Sequence, residues 1–145
     1  MVRLLFADEL HLAAHLVRRF TILPAFAHDF DMIVVDDGEK AVDYILGQSA
    51  YADRRRFPVP GLILLDLKLP RRSGFKVLEA VRATEATRRV PVVVLTSSNQ
   101  ENDIRKAYDA GANAYLVKPI GEGALVTVVR SLDAFWIRLN KAPCR

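Results

Sequence analysis

The residues of this chain that could do chemistry stand where its apolar runs end. Val2 to Ala7 leads into Asp8-Glu9, Met32 to Val35 into Asp36-Asp37-Gly38, and Leu62 to Leu65 into Asp66. Val92 to Leu95 leads into Thr96-Ser97-Ser98, and Ala114 to Val117 into Lys118-Pro119. One Asp after an apolar run says little, because Asp commonly caps the next helix. Acids, a hydroxyl and a lysine at successive run ends say more. In an open α/β sheet, ligands bind beyond the carboxyl ends of the strands. If these runs are neighbouring strands, the carboxylates of Asp8, Glu9 and Asp66 meet Thr96 and Lys118 at one edge. Two like charges about 4 Å apart repel by roughly 4 kcal/mol at an effective dielectric near 20. Three carboxylates therefore call for a hard cation, or for one of them to protonate. Oxygen donors without clustered His or Cys suit Mg²⁺ or a similar ion, which keeps waters or phosphate oxygens in its remaining positions. Such an edge is built to receive a phosphoryl group. Asp66 would be the nucleophile, forming an aspartyl phosphate. Lys118 and the cation would neutralise the equatorial oxygens, and Thr96 would donate a hydrogen bond.

The elements that must position these groups are legible in the apolar pattern. Leu62-Ile63-Leu64-Leu65 and Val92-Val93-Val94-Leu95 do not alternate with polar residues. That suits strands covered on both faces, as in a parallel sheet. Helical stripes lie between the five runs: Ala13, Leu16, Val17 and Phe20; Ala41, Val42, Ile45 and Leu46; Phe75, Leu78, Val81 and Arg82; Ile104, Ala107 and Tyr108; and Leu125, Val128, Val129, Leu132, Phe135 and Leu139. Pro24, Gly47 and Gly111 punctuate them. Strand and helix alternating five times predict an α/β fold, with one open parallel sheet and helices on both faces. Right-handed crossovers make it a doubly wound three-layer sandwich. The 48–61 stretch reads as the longest structureless connection, and 21–30 as the next.

Composition bounds the function. The chain has 145 residues, 51% hydrophobic and 26% charged, which is one ordinary globular domain. No apolar run approaches the roughly 18 residues of a membrane span. Met1 to Phe6 is too short for a signal peptide. Cys144 has no internal partner for a disulfide, and a cytoplasmic soluble protein is expected. The net charge of +4 comes largely from short clusters, Arg54-Arg55-Arg56, Arg71-Arg72 and Arg88-Arg89. Each falls at an element's end and reads as solvated charge rather than a nucleic-acid or membrane footprint. His11 and His15 have an i, i+4 spacing that can bind zinc, but no Cys or further His joins them.

Four segments carry a family resemblance: Leu4-Leu5-Phe6-Ala7-Asp8-Glu9, Leu64-Leu65-Asp66-Leu67-Lys68-Leu69-Pro70, Val94-Leu95-Thr96-Ser97-Ser98 and Gly111 to Pro119. Thr96 follows Asp66 by 30 residues and Lys118 follows Thr96 by 22. The chain resembles a response-regulator receiver domain of the CheY type. Asp43-Tyr44-Ile45-Leu46, the Tyr51–Arg55 insertion and Phe135-Trp136 resemble stand-alone regulators paired with phytochrome-like sensor kinases. The resemblance implies a flavodoxin-like sheet of order 2-1-3-4-5 and a single receiver domain over 1–145 with no separate output domain. It implies a phosphoacceptor signalling domain rather than an enzyme. Asp66 would take phosphate from a histidine kinase. Asp8, Glu9, Asp66 and the backbone carbonyl of Lys68 would hold Mg²⁺. Thr96 and Lys118 would contact the phosphoryl group, and Tyr115 would be the aromatic switch that moves with Thr96. Lys118-Pro119 would be a cis peptide. The side chains of Lys68 and Ser98 would flank the phosphoryl position.

The family usually has Asp where this chain has Glu9. An alternative register pairs Ala7 with Asp8 and loses one acid. Asp8-Glu9 is preferred because it buries Ala13, Leu16, Val17 and Phe20, whereas the other register buries His15 and Arg19. Glu is one methylene longer than Asp, which shifts the metal or weakens its hold.

A C-terminal helix from 122 to about 140 would run roughly 28 Å at 1.5 Å per residue. A strand spans only about 17–20 Å. Its last turns should overhang the sheet with Phe135, Trp136 and Leu139, either finishing the core or forming a homodimer patch. Two other functions share the residues. One is a degenerate receiver that binds partners without phosphorylation. The other is an aspartyl-phosphate phosphatase, for which Lys68 stands where a general acid is needed. A flavin-binding relative would need a hydroxyl-rich phosphate loop after the first strand, and Asp8-Glu9 repels phosphate there.

Overall fold

Strands that are apolar on both faces must be covered twice, and the computed structural model shows how. It describes residues 2–8, 30–118, 122–141 and 143. The strands are β1 (Val2–Ala7), β2 (Phe30–Val35), β3 (Leu62–Leu65), β4 (Val92–Thr96) and β5 (Ala114–Val117). They form one parallel sheet in the order β2-β1-β3-β4-β5. The helices are α1 (Gly38–Leu46), α2 (Gly74–Ala83), α3 (Glu101–Asp109) and α4 (Glu122–Leu132). The helix expected over Ala13 to Phe20, with His11 and His15, lies outside the described residues.

Alternate strand residues face opposite layers. Leu5, Ala7, Ile63, Leu65, Val92 and Val94 pack with Ala41, Tyr44 and Ile45 of α1, Val77, Leu78 and Val81 of α2, and Ala107 of α3. Leu4, Phe6, Leu62, Leu64, Val93 and Leu95 pack with Leu132 and Val128 of α4. This is the three-layer doubly wound architecture. Every residue of β3 and β4 is buried.

Two connections are better built than the sequence suggests. The 48–61 stretch is not structureless. It contains a 3-10 turn, Ser49–Tyr51, and Arg54 fastens it to the end of α1. The Arg54 guanidinium donates to the carbonyls of Tyr44 and Ile45, each at 2.8 Å, and to that of Phe57. Helix ends leave carbonyls short of intrahelical partners, and Arg54 joins the Gly47 amide in serving this one. Tyr44, Tyr51 and Phe57 pack ring against ring around it. Arg82, in the last turn of α2, ties down the segments that lead into β4 and β5. It donates to the carbonyls of Gly111, Arg88 and Val90 and to Asn113 Oδ1. Burial lowers its pKa from the usual arginine value.

The C-terminal helix departs from the expected regular α-helix. After Leu132 it continues as a π-helix over Asp133–Leu139, and the Asn140 amide donates to the Phe135 carbonyl five residues back. The widened turns leave Phe135 and Leu139 exposed, whereas Trp136 packs toward Leu4, Phe6 and the rest of that layer. Among the described residues no helix is long and apolar enough to cross a membrane.

Gly74 opens α2 against the segment after β3, and its amide donates to the Leu67 carbonyl at 2.8 Å. A Cβ there would stand 2.2 Å from the Asp66 carbonyl oxygen and 2.6 Å from the Leu67 Cα. Gly74→Ala is expected to destabilise the fold by about 1–3 kcal/mol through backbone displacement. A thermal melt should show a loss of roughly 2–4 °C per kcal/mol for a chain of this size. Arg82→Met is expected to cost about 1.5–3 kcal/mol by stranding carbonyls, read as a lower urea midpoint with unchanged slope. Arg82→Lys should recover only a fraction, since an ammonium lacks the planar fork.

Candidate functional site

The backbone ladder runs one residue past the strands and sets the site residues side by side. The Asp8 amide donates to the Val35 carbonyl at 3.1 Å, and the Asp66 amide donates to the Ala7 carbonyl at 2.9 Å. The Lys118 amide donates to the Thr96 carbonyl at 2.6 Å. Asp8, Asp66, Thr96 and Lys118 thus meet at the carboxyl edge of β1, β3, β4 and β5. Asp8 is 2% exposed, Asp66 3% and Thr96 0%.

Their side chains form one connected group. Lys118 Nζ lies 3.0 Å from Asp8 Oδ1 and 2.6 Å from Asp66 Oδ2. The other Asp66 oxygen, Oδ1, accepts from Thr96 Oγ1 at 3.0 Å and from the Lys68 amide at 3.1 Å. Asp66 is therefore held by an ammonium, a hydroxyl and a backbone N–H. Burial works against the charged form of Lys118, but its hydrogen bonds to Asp66 and Asp8 and their charges outweigh it. The pKa stays above the ordinary lysine value.

Two buried carboxylates share one ammonium, so this trio carries one negative charge in excess. Its donor atoms are oxygens, which fits a hard divalent cation. Among the described residues no three His, Cys, Asp or Glu side chains converge. The structure joins Asp8 with Asp66, while the expected third acid, Glu9, lies outside the described residues. So does Pro119, and with it the expected cis bond.

Asp36 and Asp37 take other duties. Asp37 caps α1, with Oδ1 accepting the Lys40 amide at 2.7 Å. Asp36 is exposed and pairs with the Lys40 ammonium, whose hydrogen bond lowers its pKa. Lys68 contributes its amide while its side chain is exposed.

Tyr115 is half-buried, and its hydroxyl donates to the Ser98 carbonyl at 2.9 Å. Burial raises its pKa, the nearby Ser98 side chain opposes this, and the charges of Asp103 and Asp66 add to the rise. The ring is thus tied to the segment that carries Thr96. Sequence reading did not find the Ser98–Asp103 hydrogen bond, 2.6 Å between Oγ and Oδ2, nor the Lys68 amide.

Of the three residues expected at a self-association patch, Phe135 is 50% and Leu139 70% exposed. Trp136 is half-buried, as the core-finishing alternative has it: it packs toward the core and meets Phe135 edge to face at 4.9 Å.

Known proteins share this arrangement. The sequence profile described as "Response regulator receiver domain" matches residues 5–130. The probable methanogenesis regulatory protein FilR2 of Methanothrix harundinacea is 36% identical over 107 residues, 74% of this chain and 66% of that protein. Response regulator Rcp1 of Synechocystis is 34% identical over 122 residues, 84% of this chain and 81% of that protein. The crystal structure of the Mn²⁺-bound form of Rcp1 matches with a TM-score of 0.87 and 30% identity, over 99% of this chain and 100% of that one. The phosphorylated cyanobacterial phytochrome response regulator RcpA matches with a TM-score of 0.88 and 29% identity, over 99% of each chain.

Breaking a buried ion pair from one side leaves the other charge stranded. Lys118→Met is expected to destabilise the fold by about 3–5 kcal/mol at neutral pH. The raised lysine pKa sets the pH dependence. The stabilisation by Lys118 is fully present below its unfolded value near 10.5 and is lost as pH rises through the higher folded value. Urea melts from pH 7 into the alkaline range should show wild type converging on Lys118→Met only above that value.

Proposed function

We propose that this chain, which belongs to the response regulator receiver domain family, accepts a phosphoryl group on Asp66 from a sensor histidine kinase. The observation that carries this reading is the buried Asp66 carboxylate, held at once by Lys118, Thr96 and the Lys68 amide. One Asp66 oxygen attacks the phosphorus of a phosphohistidine. The new P–O bond makes an aspartyl phosphate as the P–N bond breaks, and the imidazole leaves. Lys118 neutralises charge on the phosphoryl oxygens, and Thr96 passes its hydrogen bond from the carboxylate to one of them. Bound Mg²⁺, held by Asp8, Glu9, Asp66 and the Lys68 carbonyl, would supply further neutralisation of those oxygens. Divalent metal binding is supported by the Mn²⁺-bound form of Rcp1 and by the oxygen donors gathered here.

Phosphorylation in the family is a signalling step, and Thr96 and Tyr115 are read as its switch. The likeness to Rcp1 and RcpA supports a phytochrome-like kinase as donor. Such kinases draw on ATP, which supports a cytoplasmic location for the domain. The output is binding of a protein partner or a second copy through Phe135 and Leu139, with Trp136 bracing them from behind.

The test is labelling by acetyl phosphate with Mg²⁺, read as a phosphate-affinity gel shift. Wild type should shift and Asp66→Asn should not. Undiminished labelling of Asp66→Asn would remove Asp66 from the role.

A further inference from the structure

The turn between β4 and α3 starts from Thr96, the last residue of β4, and it is tied down by a contact that phosphoryl transfer does not use. The N-cap of α3, Gln100, makes no side-chain cap. Ser98, two residues earlier, takes over. Its buried hydroxyl accepts the Gln100 amide at 3.3 Å and donates to Asp103 Oδ2 at 2.6 Å. Asp103 lies in the first turn of α3, where a carboxylate also suits the helix dipole. The carbonyl of the same Ser98 receives the Tyr115 hydroxyl at 2.9 Å. Segment 96–98 is therefore pinned at one end by Asp103 and Tyr115. At its other end the Thr96 hydroxyl stands 3.0 Å from Asp66 Oδ1.

We infer that Asp103 is a positioning residue for phosphoryl acceptance: through the Ser98 hydroxyl it holds segment 96–98 so that Thr96 stands on Asp66 before the donor arrives. The inference rests on Asp66 being the phosphoacceptor. Thr96 lies two residues from Ser98, within about 7 Å of extended chain. A loosened Ser98 therefore moves the Thr96 hydroxyl directly. Asp103 touches neither donor nor acceptor, so its effect falls on the rate of the step and not on donor affinity.

The experiment measures acetyl phosphate labelling with Mg²⁺ over a range of donor concentrations. It compares wild type, Asp103→Ala, Asp103→Asn, Ser98→Ala and the Ser98→Ala/Asp103→Ala double variant, with Asp66→Asn as control. Asp103→Ala and Ser98→Ala should each lower the maximal rate about tenfold, the scale of a sub-ångström misplacement, with the half-saturating donor concentration unchanged. Asp103→Asn keeps an oxygen acceptor for Ser98 and should retain most of the rate. The double variant should be no slower than either single one, because all three break the same link. Thermal melts identify variants that fail to fold; if Asp103→Ala is one, Ser98→Ala and Asp103→Asn carry the comparison. Rates within twofold of wild type overturn the inference, as do an Asn variant as slow as Ala or multiplicative slowing in the double variant. In those cases wild type still labels and Asp66→Asn does not, so the phosphoacceptor reading survives. If wild type does not label, or Asp66→Asn labels as wild type does, both fall together.

Discussion

The Lys118 ammonium, lodged between the buried carboxylates of Asp8 and Asp66, is the interaction on which this site depends. Two carboxylates out of water and close together are unstable unless a cation meets both. A cation on a long, flexible stem can do so from β5 by reaching across the end of β4, provided all four strand ends lie at the same edge. The order β2-β1-β3-β4-β5 supplies that condition. It puts Asp8, Asp66 and Thr96 on consecutive sheet neighbours, with Lys118 on the strand beyond. The ladder bonds past the strand ends then fix where each side chain starts. One lysine does not neutralise two acids, and the charge in excess makes the edge receptive to a divalent ion and, through it, to a phosphoryl group.

This much was legible in the sequence because parallel strands buried on both faces carry no alternation. They appear as short solid apolar runs, and the residues just after each run lie at the sheet's carboxyl edge. Asp8, Asp66, Thr96 and Lys118 could be placed from that rule alone. The same rule does not rank the acids. Asp36 and Asp37 come after β2 just as Asp66 comes after β3, and only the structure shows Asp37 spent on capping α1 and Asp36 on Lys40.

The contacts that stayed hidden join residues whose types suggest something else. Arg54 looks like a member of a solvated positive cluster, and Arg82 like one more position of a helical stripe. Instead both bind backbone carbonyls, Arg54 at the end of α1 and Arg82 in the segments around β4 and after α3, a use for which the planar fork of arginine is well shaped and which leaves no periodic trace. Part of the net positive charge is thus structural, which weakens any argument from charge to nucleic acid. Helix length alone places Trp136 with Phe135 and Leu139 in turns that overhang the sheet. That length does not say which way each side chain faces, and in the π-helix over Asp133–Leu139 Trp136 packs on the layer of Leu132 and Val128. The Ser98–Asp103 bond crosses a helix start that lacks its usual cap, so no capping signature marks it.

The hidden contacts also say how large a switch this site can hold. Moving a two-state equilibrium from 1:99 to 99:1 takes about 5.5 kcal/mol. Besides the ladder bond from the Lys118 amide to the Thr96 carbonyl, four bonds that a switch could exchange hold segment 96–98: from Thr96 to Asp66, from Tyr115 to the Ser98 carbonyl, from the Ser98 hydroxyl to Asp103, and from the Gln100 amide to Ser98. At about 0.5–1.5 kcal/mol net for each, these bonds together are worth roughly 2–6 kcal/mol. That is the same scale as the bias a phosphoryl group must supply. Strands β3 and β4 are buried on both faces and would resist any comparable displacement. On the proposed reading, a phosphoryl group on Asp66 would act, among the described residues, on a segment whose restraints are small enough to be exchanged, and the response would reach that turn, Tyr115 and the start of α3.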